Sequence, residues 1–260
     1  MKLDIGNPPV NNRTNILDIE IPPKLENNVS TGWPEIDMLF SGDGIMPSTV
    51  CLLTGLPGSG KSSLAIRLAD SITGAAKLGK VNKGGICIYN GLEESFYQVR
   101  RITKRLGFKH GFTPSYETDV NLLIKKCEEI ESSHPGRQLF LFVDSLPCLE
   151  MKPKEVRRGR PKGAENLQVD IIQELTTWAK RSYAVVFVLG HVNKKGEFQG
   201  KQALKHIVDV HLHLGWDRDH QSETYGERIA CVEKNRTGTS GLYYPFEVNG
   251  KGFYFTRTSK

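Results

Sequence analysis

The chain has 260 residues, a net charge of +6 and five scattered cysteines without a CxxC pair. Its length suits one large α/β domain with a short extension, and no apolar run approaches the roughly 20 residues of a membrane span. The start of the chain lacks the apolar segment of a signal peptide, so we expect a protein of the cytoplasm or of the cytoplasm-like compartment of a host cell, with reduced thiols. We expect neither a membrane span nor a cysteine-bound zinc ion.

The hydrophobic pattern predicts an N-terminal arm or linker over residues 1–29, which are rich in Asn and Pro, and one domain over 30–260. Strands that alternate with helices predict an α/β fold, with a mostly parallel central sheet flanked by helices on both faces. At the C-terminal end, Asn249-Gly250 between two apolar segments predicts a β-hairpin with positive φ in its turn. The predicted strands are 50–54, 86–90, 139–144, 184–190, 207–214 and 228–233, and the predicted helices are 61–72, 94–106, 119–132 and 165–181.

The segment TGLPGSGKSS lies between the first of these strands and the first helix, and it fits the pattern GxxxxGK[ST]. Glycines at these positions allow the backbone N–H groups to cradle phosphates. The lysine adds a positive charge there, and the Ser62 hydroxyl is expected to ligate Mg²⁺. The sequence therefore predicts a nucleotide site formed by Gly55, Leu56, Pro57, Gly58, Ser59, Gly60, Lys61, Ser62 and Ser63.

Nucleotide hydrolysis also needs carboxylates for the metal shell and for the attacking water. Asp144 ends the apolar segment LFLFVD, and Glu93 follows another strand, so both are expected at the carboxyl edge of the sheet. The adjacent Glu94 is an alternative to Glu93, and one or both could simply begin the next helix. Asp144 is the first candidate ligand for the metal, together with Ser62.

Basic residues are concentrated in one segment. Residues 152–162, KPKEVRRGRPK, contain six basic residues and one acidic residue, while the rest of the chain is nearly neutral. Such a local concentration indicates an anionic partner close to this segment.

Several segments occur in the order seen in the ATPase core of the RecA superfamily, namely STGWPEIDMLFSGDGI, the phosphate loop, GLEES, VDS, LGHVNKKGEFQG, HIVDVHLHLGW and VEKNRTG. Over about residues 30–250 the sequence resembles the bacterial RadA (Sms) repair proteins, with DnaB helicases and KaiC-like ATPases also similar. It matches neither the four-cysteine zinc finger nor the protease-like domain of RadA proteins. Thr237 replaces the aromatic residue of their KNRFG motif.

The resemblance implies a RecA-like ATPase that uses ATP and Mg²⁺, and it implies a role for each matching residue. Glu93 matches the base that activates water, and Asp144 matches the Walker B acid. His191 matches the residue that senses the γ-phosphate. Lys234 and Arg236 match the pair that reaches the nucleotide of a neighbouring subunit, so the resemblance implies a homo-oligomer, expected to be a hexameric ring.

In the same superfamily, two loops line the central channel and hold nucleic acid. Here these loops correspond to residues 146–164 and 192–204, and lysine and arginine side chains on them suit a phosphate backbone. RRGRPK also resembles an AT-hook, and a solvated charged loop is the simplest alternative. The candidate nucleic-acid residues are Lys152, Lys154, Arg157, Arg158, Arg160, Lys162, Lys194, Lys195, Phe198 (for base stacking) and Lys201.

These features predict a DNA-binding ring ATPase, helicase-like or DNA-remodelling, that acts on single-stranded DNA in repair, recombination or replication. One alternative is a helicase loader or recombination mediator that uses ATP as a switch on a partner protein. Another is a KaiC-like signalling ATPase that does not need DNA. Separately, Asp209, His211 and His213 alternate along one predicted strand, which indicates either a polar strand face or a metal site.

Overall fold

The computed structural model describes residues 6–9, 11, 14–40, 42–77, 85–152, 164–191 and 202–256. Within these residues, nine strands form one sheet. The strands are β1 (Val50–Gly55), β2 (Gly85–Gly91), β3 (Thr113–Ser115), β4 (Gln138–Asp144), β5 (Val185–His191), β6 (Val210–Trp216), β7 (Arg228–Asn235), β8 (Tyr243–Asn249) and β9 (Gly252–Phe255). Their spatial order is β3-β2-β4-β5-β1-β6-β7-β8-β9.

Six α-helices flank the described part of the sheet. They are α1 (Pro34–Phe40), α2 (Lys61–Lys77), α3 (Phe96–Arg105), α4 (Val120–Ser132), α5 (Ala164–Ser182) and α6 (Gln202–Ile207). Among the described residues there are also three short 3-10 helices, Ile16–Asp18, Pro23–Leu25 and Leu146–Cys148.

The sheet is parallel from β3 to β6 and antiparallel from β6 to β9. This arrangement confirms the predicted α/β class, the mostly parallel sheet and the C-terminal hairpin. Because β1 lies between β5 and β6, the carboxyl ends of several parallel strands meet around its last residue, Gly55. Ligands of open α/β sheets bind at this edge.

Alternate residues of the parallel strands are buried on opposite faces of the sheet. Cys51 and Leu53 of β1 pack with α1, α2 and α3, whereas Val50 and Leu52 pack with α4, α5 and α6. All four side chains are buried. Since helices cover both faces, these strands consist of nearly continuous apolar residues. Their apolar segments are therefore visible in the sequence, which explains why the strands could be predicted from it.

Two predicted boundaries are wrong for identifiable reasons. The helix predicted over 94–106 begins at Phe96, because Ser95 caps it in a capping box with Gln98. The strand predicted over 207–214 begins only at Val210, because Gln202–Ile207 forms α6. The sequence did not predict α1, α6 or β3, each of which has seven residues or fewer.

The turn of the C-terminal hairpin lies one residue later in the chain than predicted. Asn249 pairs with Gly252, so Gly250 and Lys251 are the central residues of the turn. Positive φ occurs at Gly252, at +97°, and not at Asn249 or Gly250 as predicted. The Asn249 side chain accepts a hydrogen bond from the Lys251 N–H at 2.8 Å and stabilises this turn.

The described part of the predicted arm contacts the amino edge of the domain. Lys24 forms an ion pair of 2.8 Å with Glu131 of α4, and Val29 pairs with Ile45 in an isolated bridge. Ile16 and Leu17 remain exposed. The division of the chain at residues 29 and 30 stays a prediction.

Among the residues that the structure describes, no helix has both the length and the apolar character that crossing a membrane requires.

Candidate nucleotide site

The predicted phosphate loop lies at the carboxyl edge, between β1 and α2. Gly55 pairs with His191 of β5 on one side and with Leu214 of β6 on the other. Gly58 and Gly60 have positive φ, at +75° and +102°. A Cβ atom on Gly55 would lie 2.6 Å from the Leu214 carbonyl oxygen, so the loop needs glycine there.

Polar groups of this loop suit a bound phosphate. The Lys61 ammonium is buried and donates hydrogen bonds to the carbonyls of Gly55 at 3.0 Å and Leu56 at 3.1 Å. The Ser59 hydroxyl is buried, and it has no hydrogen-bond partner among the described residues. Burial lowers the pKa of Lys61, and the charges of Asp144 and Glu93 oppose this shift. A phosphate would also be favoured by the N-terminus of α2, which follows the loop directly.

Asp144 and Ser62 are brought together as a potential metal site. Asp144 ends β4, and its buried carboxylate accepts hydrogen bonds from the Ser62 hydroxyl and, at 2.6 Å, from the Tyr89 hydroxyl. Burial raises the pKa of Asp144, while these hydrogen bonds and the Lys61 charge oppose the shift. A divalent cation would favour the charged carboxylate, and a hydroxyl with a carboxylate is a ligand set that suits Mg²⁺.

Glu93 and Glu94 lie beside Asp144 but outside α3, so neither belongs to the helix that was the alternative explanation for them. The Ser145 hydroxyl donates a hydrogen bond to Glu93. Partial burial raises the pKa of Glu94, and the charges of Asp144 and Glu93 raise it further. Glu93 is thus connected through Ser145 to the end of β4, next to Asp144.

Two contributors to this site were not predicted, Tyr89 and Ser145. Tyr89 is buried in β2 and contacts Asp144 from the neighbouring strand. Burial, followed by the Asp144 charge, raises the pKa of Tyr89, so it stays a hydrogen-bond donor. The alternation of side chains along β2 could have placed Tyr89 on a face of the sheet, but it gave no indication of the partner.

His191 is the last residue of β5, and its backbone lies beside Gly55 at the phosphate loop. Its side chain is outside the described residues, so its predicted sensor role stays a prediction.

Lys234 and Arg236 are directed away from the phosphate loop of their own chain. Leu214, which pairs with Gly55, also pairs with Ala230 of β7, and Lys234 lies four residues, or about 13 Å, further toward the opposite edge. The Lys234 ammonium donates to the carbonyls of Lys205 and Val208, both at 2.7 Å. The Arg236 guanidinium donates to the His206 carbonyl at 2.6 Å.

These contacts place both cations at the C-terminal end of α6. Burial and the nearby Arg236 charge lower the pKa of Lys234, while Asp209 opposes the shift. Both cations therefore lie toward the edge of the sheet opposite the phosphate loop of their own chain.

The predicted nucleic-acid residues fall almost entirely outside the described residues. Lys152 is described, and its ammonium lies 3.5 Å from the Asp119 carboxylate in a partly exposed ion pair. The others, Lys154, Arg157, Arg158, Arg160, Lys162, Lys194, Lys195, Phe198 and Lys201, lie outside the described ranges.

His211 and His213 form a polar chain beside the phosphate loop. Both rings contact the hydroxyl of Thr54, the residue before Gly55, at 2.7 and 2.9 Å. His211 also lies 2.8 Å from Glu233, whose pKa its hydrogen bond lowers to about 2.

Asp209 has a different environment. Its carboxylate accepts hydrogen bonds from the Val50 N–H at 2.9 Å and the Lys180 ammonium at 2.8 Å. Within the described ranges, no group of three or more His, Cys, Asp or Glu side chains is arranged to hold a metal ion. The polar contacts of Asp209, His211 and His213 therefore favour a polar strand face.

Comparisons with known proteins agree with the predicted resemblance. No family model matches the chain. It is 29% identical over 238 residues to the DNA repair protein RadA of Streptococcus pyogenes serotype M6, covering 89% of this chain and 47% of that protein. It is 28% identical over 223 residues to RadA of Aquifex aeolicus, covering 86% of this chain and 45% of that protein. The chain thus spans about half the length of these curated relatives.

Solved structures show the same fold. A solved ATPase domain superposes with a TM-score of 0.69 at 16% identity, covering 91% of this chain and 93% of that domain. A KaiC-like protein from Pyrococcus horikoshii OT3 superposes with a TM-score of 0.62 at 19% identity, covering 89% of this chain and 99% of that protein. A DnaB-like replicative helicase superposes with a TM-score of 0.68 at 16% identity, covering 87% of this chain and 61% of that helicase. The predicted resemblance to RecA-superfamily proteins, including RadA, is confirmed.

Proposed function

We propose that this protein hydrolyses ATP as a ring-forming ATPase, expected to be a hexamer, and uses the energy to move or remodel single-stranded DNA. The names of its relatives suggest repair and replication, and recombination is a further process that the sequence predicts. The observation that carries the proposal is the convergence of Lys61, Ser62, Asp144 and Glu93 at one edge of the sheet. Phosphoryl transfer from a nucleotide needs this combination of side chains.

Each side chain has a distinct task in this proposal. Lys61 leaves its two carbonyl partners to contact the β- and γ-phosphates. Glu93 accepts the proton of the water that attacks the γ-phosphorus. Ser62 and Asp144 would hold Mg²⁺, and the bound ion would supply positive charge near the phosphates. His191, whose backbone pairs with Gly55, senses whether a γ-phosphate is present and transmits this signal to the rest of the protein.

The position of Lys234 and Arg236 supports a site that is shared between subunits. Both must leave the carbonyls of α6 to reach a neighbour's nucleotide, where they would stabilise the transition-state charge. We expect the Lys234→Ala and Arg236→Ala variants each to be impaired in hydrolysis. Mixing Arg236→Ala subunits with Lys61→Ala subunits should restore part of the activity, because some interfaces then combine an intact phosphate loop with an intact arginine.

A matched control uses a double variant with Lys61→Ala and Arg236→Ala on one chain. Mixed with Arg236→Ala subunits it provides no intact arginine, so it should restore nothing. ATPase rates of the mixtures and the mass of the ATP-bound protein are the measurements. A monomeric mass together with no restoration in the first mixture would show that the site is not shared.

The basic segment 152–162 is the proposed contact with the DNA backbone. Each phosphate that a protein neutralises on single-stranded DNA contributes about −0.7 to the slope of log K against log salt. Replacing Arg157, Arg158 and Arg160 with alanine should therefore flatten the slope by up to about 2 and weaken binding similarly for all base sequences. Basal ATPase activity should persist, while its stimulation by DNA should fall.

A control with the same change of charge replaces Arg101, Lys104 and Arg105 of α3 with alanine. This variant should retain the parent's salt slope. Preferential loss of binding to A·T-rich duplex, with single-strand binding retained, would instead indicate an AT-hook. An unchanged slope in the first variant would reduce the segment to a solvated charged loop.

A KaiC-like signalling ATPase that does not need DNA is the second candidate, because a KaiC-like protein shares the fold over 89% of this chain. It predicts the same nucleotide site and ATP turnover that DNA does not change. A loader or mediator that uses ATP as a switch predicts assembly without DNA and little unwinding.

A further inference from the structure

A cavity is formed by residues of β6, β7 and β8 and by the segment that precedes β7. It has a volume of ≈ 540 Å³, and its walls include Trp216, Arg228, Phe246, Val248, Glu227 and Glu247. Trp216 ends β6 two residues after Leu214, which pairs with Gly55. The cavity therefore opens at the same edge of the sheet as the phosphate loop.

The hairpin of β8 and β9 brings the cavity and the loop into contact. A Cβ atom on Gly60 would lie 2.6 Å from the Cγ2 atom of Val248, so the two regions share this side chain as a wall. Phe246 stacks on Phe253 with ring centroids 4.4 Å apart and an interplanar angle of 16°, which fixes the inner wall. The apolar wall of the cavity thus contacts the phosphate loop at Gly60, through Val248.

Trp216 is the unusual member of this cavity, because 51% of its surface is exposed. The Arg228 guanidinium carbon lies 5.2 Å from the centroid of the indole ring and supports it by a cation–π contact. A large aromatic surface held open to solvent is poorly explained by packing of the core. Aromatic faces of this kind stack on nucleobases, and each stacked base contributes about 1–3 kcal/mol in single-strand-binding proteins.

We propose that this cavity binds the base of the nucleoside triphosphate whose phosphates occupy the loop, with the base stacked on Trp216. The inference rests on the proposed nucleotide function and specifies the ligand further. A purine offers the larger stacking surface. The Glu247 carboxylate accepts a hydrogen bond from the Tyr254 hydroxyl through Oε2, and each carboxylate has two oxygens. Glu227 and Glu247 can therefore also accept from an exocyclic amino group of a base, and uracil has none. Adenine carries such a group, so the site should prefer ATP to UTP.

The test separates recognition of the base from recognition of the phosphates. Calorimetry would measure the binding of a non-hydrolysable ATP analogue and of inorganic tripolyphosphate, both with Mg²⁺. The Trp216→Ala variant should bind the ATP analogue about tenfold or more weakly and tripolyphosphate as the parent does. Trp216→Phe should keep most of the affinity for the analogue. Tyr243→Ala, which removes an exposed aromatic outside this cavity, should change neither affinity.

Each other result has a defined meaning. Unchanged binding of the analogue to Trp216→Ala, or an equal loss for both ligands, would overturn the base site. The proposed nucleotide function would still stand, provided that Lys61→Ala abolishes binding. If the parent binds neither ligand, the nucleotide function and the base site are both wrong.

Discussion

Replacing Lys61 with alanine is expected to lower the rate of ATP hydrolysis by at least about 100-fold, the loss typical when a group that stabilises transition-state charge is removed. Lys61 is the buried ammonium of the phosphate loop, and Gly55 and Leu56 hold it through their carbonyls. The loop over 55–63 contains no second lysine or arginine that could replace its charge at the β- and γ-phosphates. Steady-state phosphate release at saturating ATP measures the effect.

Lys125→Ala is the matched control. Lys125 lies on α4 with 73% of its side chain exposed, in a loose ion pair of 4.0 Å with Glu129. The Lys125→Ala variant should hydrolyse ATP at the parent's rate. A Lys61→Ala variant that hydrolyses ATP within about twofold of the parent would show that phosphoryl transfer occurs elsewhere or by other groups.

Glu93→Gln is expected to keep ATP binding and to lose hydrolysis by about 10²- to 10⁴-fold, because an amide cannot accept the proton of the attacking water. The carboxamide has nearly the same shape and can still accept a hydrogen bond from Ser145. Binding and turnover should therefore separate in this variant. Nucleotide affinity by calorimetry and single-turnover hydrolysis would measure the two effects.

Glu94→Gln provides the neighbouring control, since it removes one carboxylate from the same turn. We expect it to hydrolyse ATP near the parent's rate. If Glu94→Gln is inactive while Glu93→Gln is active, then the base is Glu94 and the assignment is wrong by one residue. The raised pKa of Glu94 makes this comparison necessary, because a shifted carboxyl near Asp144 is also a candidate base.

The fold was largely predictable because both faces of the sheet are covered. Strands such as Gln138–Asp144 are apolar almost throughout, and the helices between them show a clear period. The short helices α1 and α6 were missed because a helix of six or seven residues has fewer than two full turns of pattern. The position of the hairpin turn depended on the pairing of Asn249 with Gly252, which the sequence alone does not define.

The candidate site was predictable where one short segment contains the chemistry, as in the loop from Gly55 to Ser63. Asp144 and Glu93 could be placed because Asp144 ends a strand and Glu93 follows one. The contacts of Tyr89 and Ser145 could not be predicted, because they depend on β2 lying beside β4. Pairing between strands that are distant in sequence is a property of the folded chain, and no local pattern records it.

The same limit applies to Lys234 and Arg236. The sequence suggested their role only through resemblance, whereas the structure adds that carbonyls at the end of α6 hold both side chains within the chain. Trp216 is the opposite case. It lies in an ordinary strand pattern, and only the pairing of β6 with β1 and the closeness of Val248 to Gly60 place it beside the phosphate loop.

The most direct test of the proposed function is the rate of ATP hydrolysis by the parent protein with and without single-stranded DNA, at a low and a high salt concentration. A DNA-remodelling ATPase should turn over ATP slowly alone and faster with DNA, and the stimulation should decline at high salt as phosphate contacts weaken. The same low rate with and without DNA at both salt concentrations would contradict the link to DNA. The absence of any turnover would contradict the ATPase itself.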